Sequence, residues 1–170
     1  DGPVRTHTTV ESPIGDLTLV NDGAALVGLY LHEHRRGPEA DRLGAVSTRG
    51  FEAAVEQLGQ YFAGERETFD LPLAPAGTEF QRRVWSELRR IPYGQTRTYA
   101  QIAAGVDGGR TTAVRAVGAA NGRNPISIIV PCHRVVGSDG SLTGYAGGVE
   151  RKAFLLALEN PQWAADGMLF

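Results

Sequence analysis

Eight residues, Asp70 to Gly77 ("DLPLAPAG"), hold two prolines and a glycine, and the hydrophobic pattern changes its period across them. Upstream, "VRTHTTV", "DLTLVN" and "AALVGLYL" are rich in β-branched and aliphatic residues and are punctuated by "IG" and "NDG", which reads as strands. Asp22-Gly23 suits a tight hairpin turn between two of them. One helix follows in "GFEAAVEQLGQYFAGE", where Phe51, Val55, Leu58, Tyr61 and Phe62 fall at helical spacing. Downstream the pattern is helical. "TEFQRRVWSELRRIPYG" opens on Thr78-x-x-Gln81, a capping-box signature, and aligns Phe80, Val84, Leu88 and Ile91 on one stripe before Pro92 and Gly94 stop it. The chain is therefore expected to be α+β: a linker near 74 joins a small β-sheet domain with one helix, residues 1–74, to a mainly helical domain, residues 75–170.

Within the second domain, "TYAQIAAGV" repeats the Thr-x-x-Gln start at Thr98 and Gln101, and "TTAVRAVGAANG" is a further helix ended by Asn121-Gly122. Two short helices joined by a glycine-containing turn, here "DGGR", are the pattern of a helix-turn-helix, whose second helix reads nucleic acid. After them come an apolar segment, "PISIIVPCHRVVG", expected to be buried and extended, a Gly-rich loop and a last helix "ERKAFLLALEN" closed by Pro161. Residues 33–49 are polar and read as a surface loop. Charge divides with the fold. Residues 1–72 carry 6 basic and 12 acidic side chains, residues 73–170 carry 11 and 7, and only Lys152 among the 17 basic residues is a lysine. A basic half hints at contact with nucleic acid, weakly when taken alone. No apolar run approaches the roughly 20 residues of a membrane helix, and the N-terminal stretch has no signal-peptide core.

The chain has one cysteine, Cys132, in "IIVPCHRVVG". A single cysteine excludes an internal disulfide framework and a multi-cysteine zinc site, and a reducing, cytoplasmic location is expected. Buried cysteine is commonly a small hydrophobe, and four aliphatic neighbours favour that. Three features point to chemistry instead. Pro131 stiffens the backbone ahead of the thiol, His133 and Arg134 are costly to bury without partners, and a nearby imidazole or cation activates a thiolate. On a strand Cys132 and His133 would face opposite sides, so they would meet only if the chain turns there. Packing and nucleophile both stay open on these residues. His7, His32, His34 and His133 are scattered, and none is expected to bind metal.

"PCHRV", preceded by "NPISIIV" and followed by "GYAGG", resembles the active-site signature of the O6-alkylguanine-DNA alkyltransferases, the methylated-DNA–protein-cysteine methyltransferases. The resemblance runs over nearly the whole chain. "SPIGDLTLV" is similar to the family's N-terminal strand pair, the run from Phe80 through "IPYG" to Tyr99 to the start of its C-terminal domain, and "AVRAVGAANGRNP" to its recognition helix and asparagine hinge. It implies an RNase H-like N-terminal domain and a winged-helix-like C-terminal one. The implied reaction is irreversible transfer of a methyl or other alkyl group from O6 of guanine, and less efficiently O4 of thymine, in duplex DNA to the protein's own cysteine. Cys132 matches the acceptor, so each molecule acts once and no cofactor is needed.

Other roles come with the same resemblance. His133 matches the residue that deprotonates the cysteine through a water, and Glu159 the carboxylate that orients it. An acid at a helix C-terminus is otherwise mildly unfavourable, which independently invites a partner. Tyr99 matches a phenol that donates toward N3 of guanine, and Asn124 the asparagine bracing the turn before the active-site segment. Arg115 matches a finger that replaces a flipped base. Ala116, Gly118 and Ala119 are small enough for close approach in the minor groove, and Arg123 is a candidate phosphate contact. Pro131, Val135, Tyr145, Ala146, Gly147 and Gly148 match the base pocket. Arg134 is expected to be structural or phosphate-facing. Double-stranded DNA is the implied partner, bound by a monomer and with room for cooperativity; no membrane is implied.

Some positions depart from the family pattern. Several members carry serine where Ala146 stands, which leaves backbone N–H groups to meet O6. The turn "VDGGRTT", 106–112, is about two residues longer than in relatives with proline there. Some relatives hold a structural zinc in the first domain, for which this chain lacks the cysteines. Two other readings compete: a non-catalytic protein that recognises alkylated bases, against which a retained cysteine argues, and a cysteine hydrolase, which would turn over repeatedly.

Overall fold

The computed structural model describes residues 4–32, 43–107, 114–142 and 145–165. The chain divides into two compact units, Asp1–Ala76 with Pro125–Ser127, and Gly77–Asn124 with Ile128–Phe170.

In the first unit, β1 (Thr6–Val10), β2 (Leu17–Asn21), β3 (Leu26–Leu31) and β4 (Ala45–Val46) form one sheet in the order β3-β2-β1-β4. β1, β2 and β3 are antiparallel neighbours, and β4 joins β1 in parallel. The hairpin at Asp22-Gly23 is built by side chains. Asp22 Oδ1 accepts from the N–H groups of Ala24 and Ala25 at 2.9 and 2.8 Å, which lowers its pKa, and Gly23 takes φ +98°. Leu17, Leu19, Leu29 and Leu31 form the buried face. α1 (Glu52–Phe62) buries Ala54, Leu58 and Tyr61 behind Phe51; Val55, expected on the stripe, is 38% exposed, because the buried positions at 51, 54, 58 and 61 centre the face one residue earlier.

The linker itself pairs with the sheet: Leu26 N–H donates to Pro72 O at 2.9 Å and Ala74 N–H to Leu26 O at 2.9 Å, a parallel bridge between Leu26 and Leu73. The same edge of β3 is extended by Leu29 N–H to Pro125 O at 2.8 Å and Ser127 N–H to Leu29 O at 3.2 Å, bridging Leu29 and Ile126. Backbone donors left over at a sheet edge are thus paired by irregular segments. The 33–49 segment is also not all loop, since β4 lies in it; its residues 33–42, including His34, lie outside the described ones.

The second unit holds α2 (Glu79–Leu88), β5 (Arg97–Thr98), α3 (Tyr99–Asp107), α4 (Val114–Gly122), a 3₁₀ turn (Cys132–Arg134), β6 (Val135–Val136), α5 (Val149–Glu159) and α6 (Gln162–Ala165). Both capping boxes form. Gln81 N–H donates to Thr78 Oγ1 at 3.1 Å and Gln101 N–H to Thr98 Oγ1 at 3.1 Å, and each glutamine side chain returns to its threonine N–H. α2, α3 and α4 pack on one another through Val84, Trp85, Leu88, Ile102, Val117 and Ala120; Phe80 is only half-buried, and Trp85 takes the deep position instead, donating Nε1–H to Ala120 O at 2.9 Å. β5 and β6 pair in parallel, Arg97 with Val135 and Thr98 with Val136. The turn between the helices of the helix-turn-helix lies outside the described residues from 108 to 113, as do 143–144 of the Gly-rich loop. The short α6 after Pro161 was not expected; its Trp163 packs with Val136 and Leu156.

Residues 125–136 are buried except for a half-exposed Pro125, but between the Ile126 bridge and β6 they are not extended, and this corrects the sequence reading. Ile128 takes φ +73°, the left-handed region that a β-branched side chain rarely enters, at a cost of about 1–3 kcal/mol. Pro131 at φ −82°, ψ 66° makes an inverse γ-turn, closed by Cys132 N–H to Val130 O at 2.8 Å. The 3₁₀ turn then begins on Cys132 itself.

Candidate active site

The turn removes the objection that neighbouring residues on a strand face apart. Cys132 is 4% exposed, and His133, immediately after it, is fully buried and points its Nε2 at Glu159 Oε2, 2.6 Å away. Glu159 is the last residue of α5, so its side chain reaches the turn from the helix C-terminus. Its two oxygens accept four hydrogen bonds. His133 Nε2 and Arg134 Nη2, the latter at 3.0 Å, share Oε2; Arg134 Nε at 2.7 Å and Gly94 N–H at 3.3 Å share Oε1. Arg134 spends a further N–H on Ile91 O at 2.7 Å and stacks over the Tyr93 ring at 5.8 Å. Of its two expected roles it fills the structural one.

Gly94 is needed where it is. Its φ is +79°, and a Cβ there would lie 3.2 Å from the Glu159 carbonyl oxygen. The loop "IPYG" thereby closes down on the end of α5.

The charges follow from these contacts. Burial pushes the Glu159 carboxyl up, but His133 and Arg134 outweigh that and hold it well below the ordinary carboxylate range. For His133, burial dominates and lowers the imidazole below 6.5; Glu159 opposes this, while Arg134 and Lys152 reinforce it. A neutral His133 beside an ionised Glu159 must donate from Nε2, which leaves Nδ1 as the basic lone pair. That Nδ1 is buried and finds no partner among the protein's own groups.

The backbone around Cys132 is held from the helix-turn-helix side. Asn124, 3% exposed, donates Nδ2–H to Val130 O at 2.8 Å, the same carbonyl that closes the γ-turn. Asn121, at the end of α4, donates to the carbonyl of Cys132 at 3.4 Å. Pro131, Val135 and Tyr145 are buried around the turn's own segment and the following loop, and Ala146, Gly147 and Gly148 are half-buried. Gly148 N–H to Tyr145 O at 3.0 Å closes the turn into α5.

Tyr99 opens α3 directly after β5, whose partner β6 leads out of the Cys132 turn, and its ring lies 3.9 Å from where a Gly118 Cβ would stand. Arg115, Ala116, Ala119 and Arg123 lie exposed on or just past α4, apart from the buried groups. Cys132, His133, Glu159, Asn124, Pro131 and Val135 are thus drawn into one buried cluster, while the arginines and small residues of α4 form an outer face. Asn121, which donates to the carbonyl of Cys132, was not foreseen as part of this cluster; the available signal was its place in the last turn of a helix leading to the thiol.

Among the described residues, no three His, Cys, Asp or Glu side chains gather as a metal site would require, and no helix is long and apolar enough to cross a membrane.

Comparison with known proteins places this arrangement in context. A family model described as "6-O-methylguanine DNA methyltransferase, ribonuclease-like domain" matches residues 6–75, and one described as "6-O-methylguanine DNA methyltransferase, DNA binding domain" matches residues 79–161. A methylated-DNA–protein-cysteine methyltransferase of Mycolicibacterium paratuberculosis is 52% identical over 165 residues, 96% of this chain and 98% of that protein. A constitutive one of Bacillus subtilis is 47% identical over 157 residues, 90% of this chain and 94% of that protein. A crystal structure of Mycobacterium tuberculosis OGT in complex with DNA matches with a TM-score of 0.84 at 48% identity, covering 97% of this chain and 99% of that one.

Proposed function

The chain belongs to the 6-O-methylguanine DNA methyltransferase family, and from that premise we propose that it repairs DNA by moving the alkyl group of O6-alkylguanine onto Cys132 in a single, irreversible step. The activity is methylated-DNA–protein-cysteine methyl transfer, with DNA as partner. The observation that carries the assignment of roles is the buried His133–Glu159 pair directly after the only cysteine, with Nδ1 of a neutral imidazole left basic.

The reaction is a displacement at an sp³ carbon. The thiol proton passes through a bridging water to His133 Nδ1, and sulfur forms a bond to the methyl carbon as the bond from that carbon to O6 breaks. The electron pair goes to guanine, where a hydrogen bond from Tyr99 at N3 meets the developing charge and a proton restores the neutral base. The product is a thioether that cannot be displaced again, so turnover stops at one. Fixing the backbone through Asn124 and the γ-turn holds the sulfur on line at no cost during the reaction.

The outer face of α4 supports the DNA-binding half of the proposal. A base inside a duplex must leave the stack to meet a buried thiol. Arg115 beside the exposed Ala116 and Ala119 and the half-buried Gly118 suits a minor-groove approach in which arginine fills the vacated space, with O6 met by backbone N–H groups near Ala146. Incubation with an O6-methylguanine duplex should place one methyl on the Cys132 peptide, read by mass spectrometry, with none on a Cys132→Ser variant. Product beyond one equivalent, or an unmodified Cys132, would overturn the assignment.

A further inference from the structure

Asn121 stands in the last turn of α4, 2% exposed, and its Nδ2 donates to the carbonyl of Cys132 at 3.4 Å. That carbonyl already accepts from the N–H of Val135 across the 3₁₀ turn. A second and long bond to it does not explain why a whole amide is buried here, since a leucine fills nearly the same space with no polar atom to satisfy. The other half of the amide asks for more. Asn121 Oδ1 is buried and has no hydrogen-bond partner among the described residues. Turning the amide over gives no relief, because it sets the oxygen against the Cys132 carbonyl.

His133 Nδ1 is in the same position. It too is buried without a partner among the described residues, and the bond from Nε2 to Glu159 at 2.6 Å leaves it an acceptor. Two acceptors cannot satisfy one another. They flank one peptide group, for Asn121 holds the carbonyl of Cys132 and His133 begins at the nitrogen bonded to it. A buried acceptor left unmet is destabilising. The small group that meets two acceptors at once inside a protein is a water molecule, with two O–H donors and its lone pairs to spare.

We propose that Asn121 is a positioning residue for activation of the thiol: its Oδ1 accepts one O–H of the water whose other O–H points at His133 Nδ1. This rests on Cys132 being the nucleophile and deepens the relay described above. With both O–H bonds committed, the lone pairs of the water are what the S–H of Cys132 can donate to. The water takes the thiol proton as it passes its own to Nδ1, so the water is restored. The sulfur keeps the electron pair as thiolate, and the imidazolium is balanced by Glu159. Without Oδ1 the water is free to turn its O–H away from His133. Asn124 has a different task, since its amide goes to Val130 O.

Two measurements made without DNA decide it. In the native protein, one long-lived water should give nuclear Overhauser cross-peaks both to the Nδ2 protons of Asn121 and to the ring of His133. A water at only one of the two, or at neither, overturns the proposal even where no variant folds. The second measurement is the pH profile of Cys132 alkylation by iodoacetamide in Asn121→Leu. The rate should fall about ten-fold at neutral pH, where the relay must remove the proton, and return to the native rate near pH 10, where hydroxide removes it unaided. The charged groups around the turn, Glu159, Arg134 and Lys152, are the same in both proteins, so the difference between the profiles belongs to Asn121. A side chain that only braces the Cys132 carbonyl would displace the sulfur and slow alkylation equally at both ends of the profile. That result overturns the proposal, as does a native rate at neutral pH. Failure of either measurement leaves methyl transfer onto Cys132 standing. A protein with both signatures that takes no methyl from an O6-methylguanine duplex keeps the water site and loses the reaction.

Discussion

Replacing Glu159 by glutamine exchanges one oxygen of the side chain for an NH₂ and sets that group against two of four donors. The carboxylate accepts from His133 Nε2, from two nitrogens of Arg134 and from Gly94 N–H. Glutamine keeps one accepting oxygen and turns an NH₂ toward the rest. If the oxygen stays with Arg134 Nε and Gly94, the amide nitrogen opposes the N–H groups of His133 and Arg134 Nη2. The imidazole escapes only by moving its proton to Nδ1, the atom that has to accept one. Two consequences follow with different magnitudes. The buried guanidinium loses its counter-ion, and breaking a buried pair from one side costs about 3–5 kcal/mol. At about 2–4 °C per kcal/mol for a chain of this size, the thermal midpoint falls on the order of 10 °C. Methyl transfer slows by about 10²-fold or more, the usual contribution of a general base.

Urea denaturation followed by the fluorescence of Trp85 and Trp163, both buried in the second unit, measures the first effect, and single-turnover transfer the second. The pH dependence is a further check. Glu159 has a folded pKa held below its ordinary 4.5, so its stabilisation is complete above that value and is lost as pH falls through the folded one. The gap between native and Glu159→Gln should be level from neutral pH down to about 5 and narrow below it. A gap under about 1 kcal/mol, the range of exposed ion pairs, would refute the reasoning, as would one that closes between neutrality and pH 5.

Gly94→Ala should destabilise by about 1–2 kcal/mol in the same denaturation assay, from a φ of +79° and a methyl group 3.2 Å from the Glu159 carbonyl; a neutral result would mean the loop relaxes away from α5. The transfer rate should stay level as pH falls through 6.5, because burial keeps His133 neutral there, and should drop only in more acid solution; an inflection at 6.5 would mark a solvated imidazole. Over the same range stability should decline, since the unfolded histidine takes up a proton near 6.5 that the folded one refuses.

Local chemistry was the legible part of this chain. The two Thr-x-x-Gln boxes and the Asp22-Gly23 turn are made by residues within three positions of each other, and such contacts leave their signature in the sequence. Glu159 was legible for a related reason, as a negative charge at the unfavourable end of a helix. The path from Ile128 to Cys132 was not. Isoleucine in the left-handed region runs against its own preference, so only the surrounding packing and the Asn124 bond to Val130 O can hold that course. Lys152 was hidden similarly: it reads as a surface charge on a helix until long-range packing buries it. The pairing of 72–74 and 125–127 along β3 depends on segments about 50 to 100 residues away from the strand, or from one another, in sequence and carries no periodic pattern at all.

That last pairing bears on how small the protein could be made. Pro125–Ser127 belongs to the first unit, although the chain on either side of it belongs to the second. Severing the molecule at the proline-rich linker would therefore not release a self-sufficient catalytic half. A fragment beginning at Gly77 would keep Cys132, His133 and Glu159 yet lose Leu29, whose N–H and carbonyl receive the chain only a few residues ahead of the thiol. Ile126, fully buried in the whole protein, would lose its bridge to Leu29 and be exposed. The linker is a joint in the backbone, yet the first unit keeps a claim on three residues of the chain that lie beyond it.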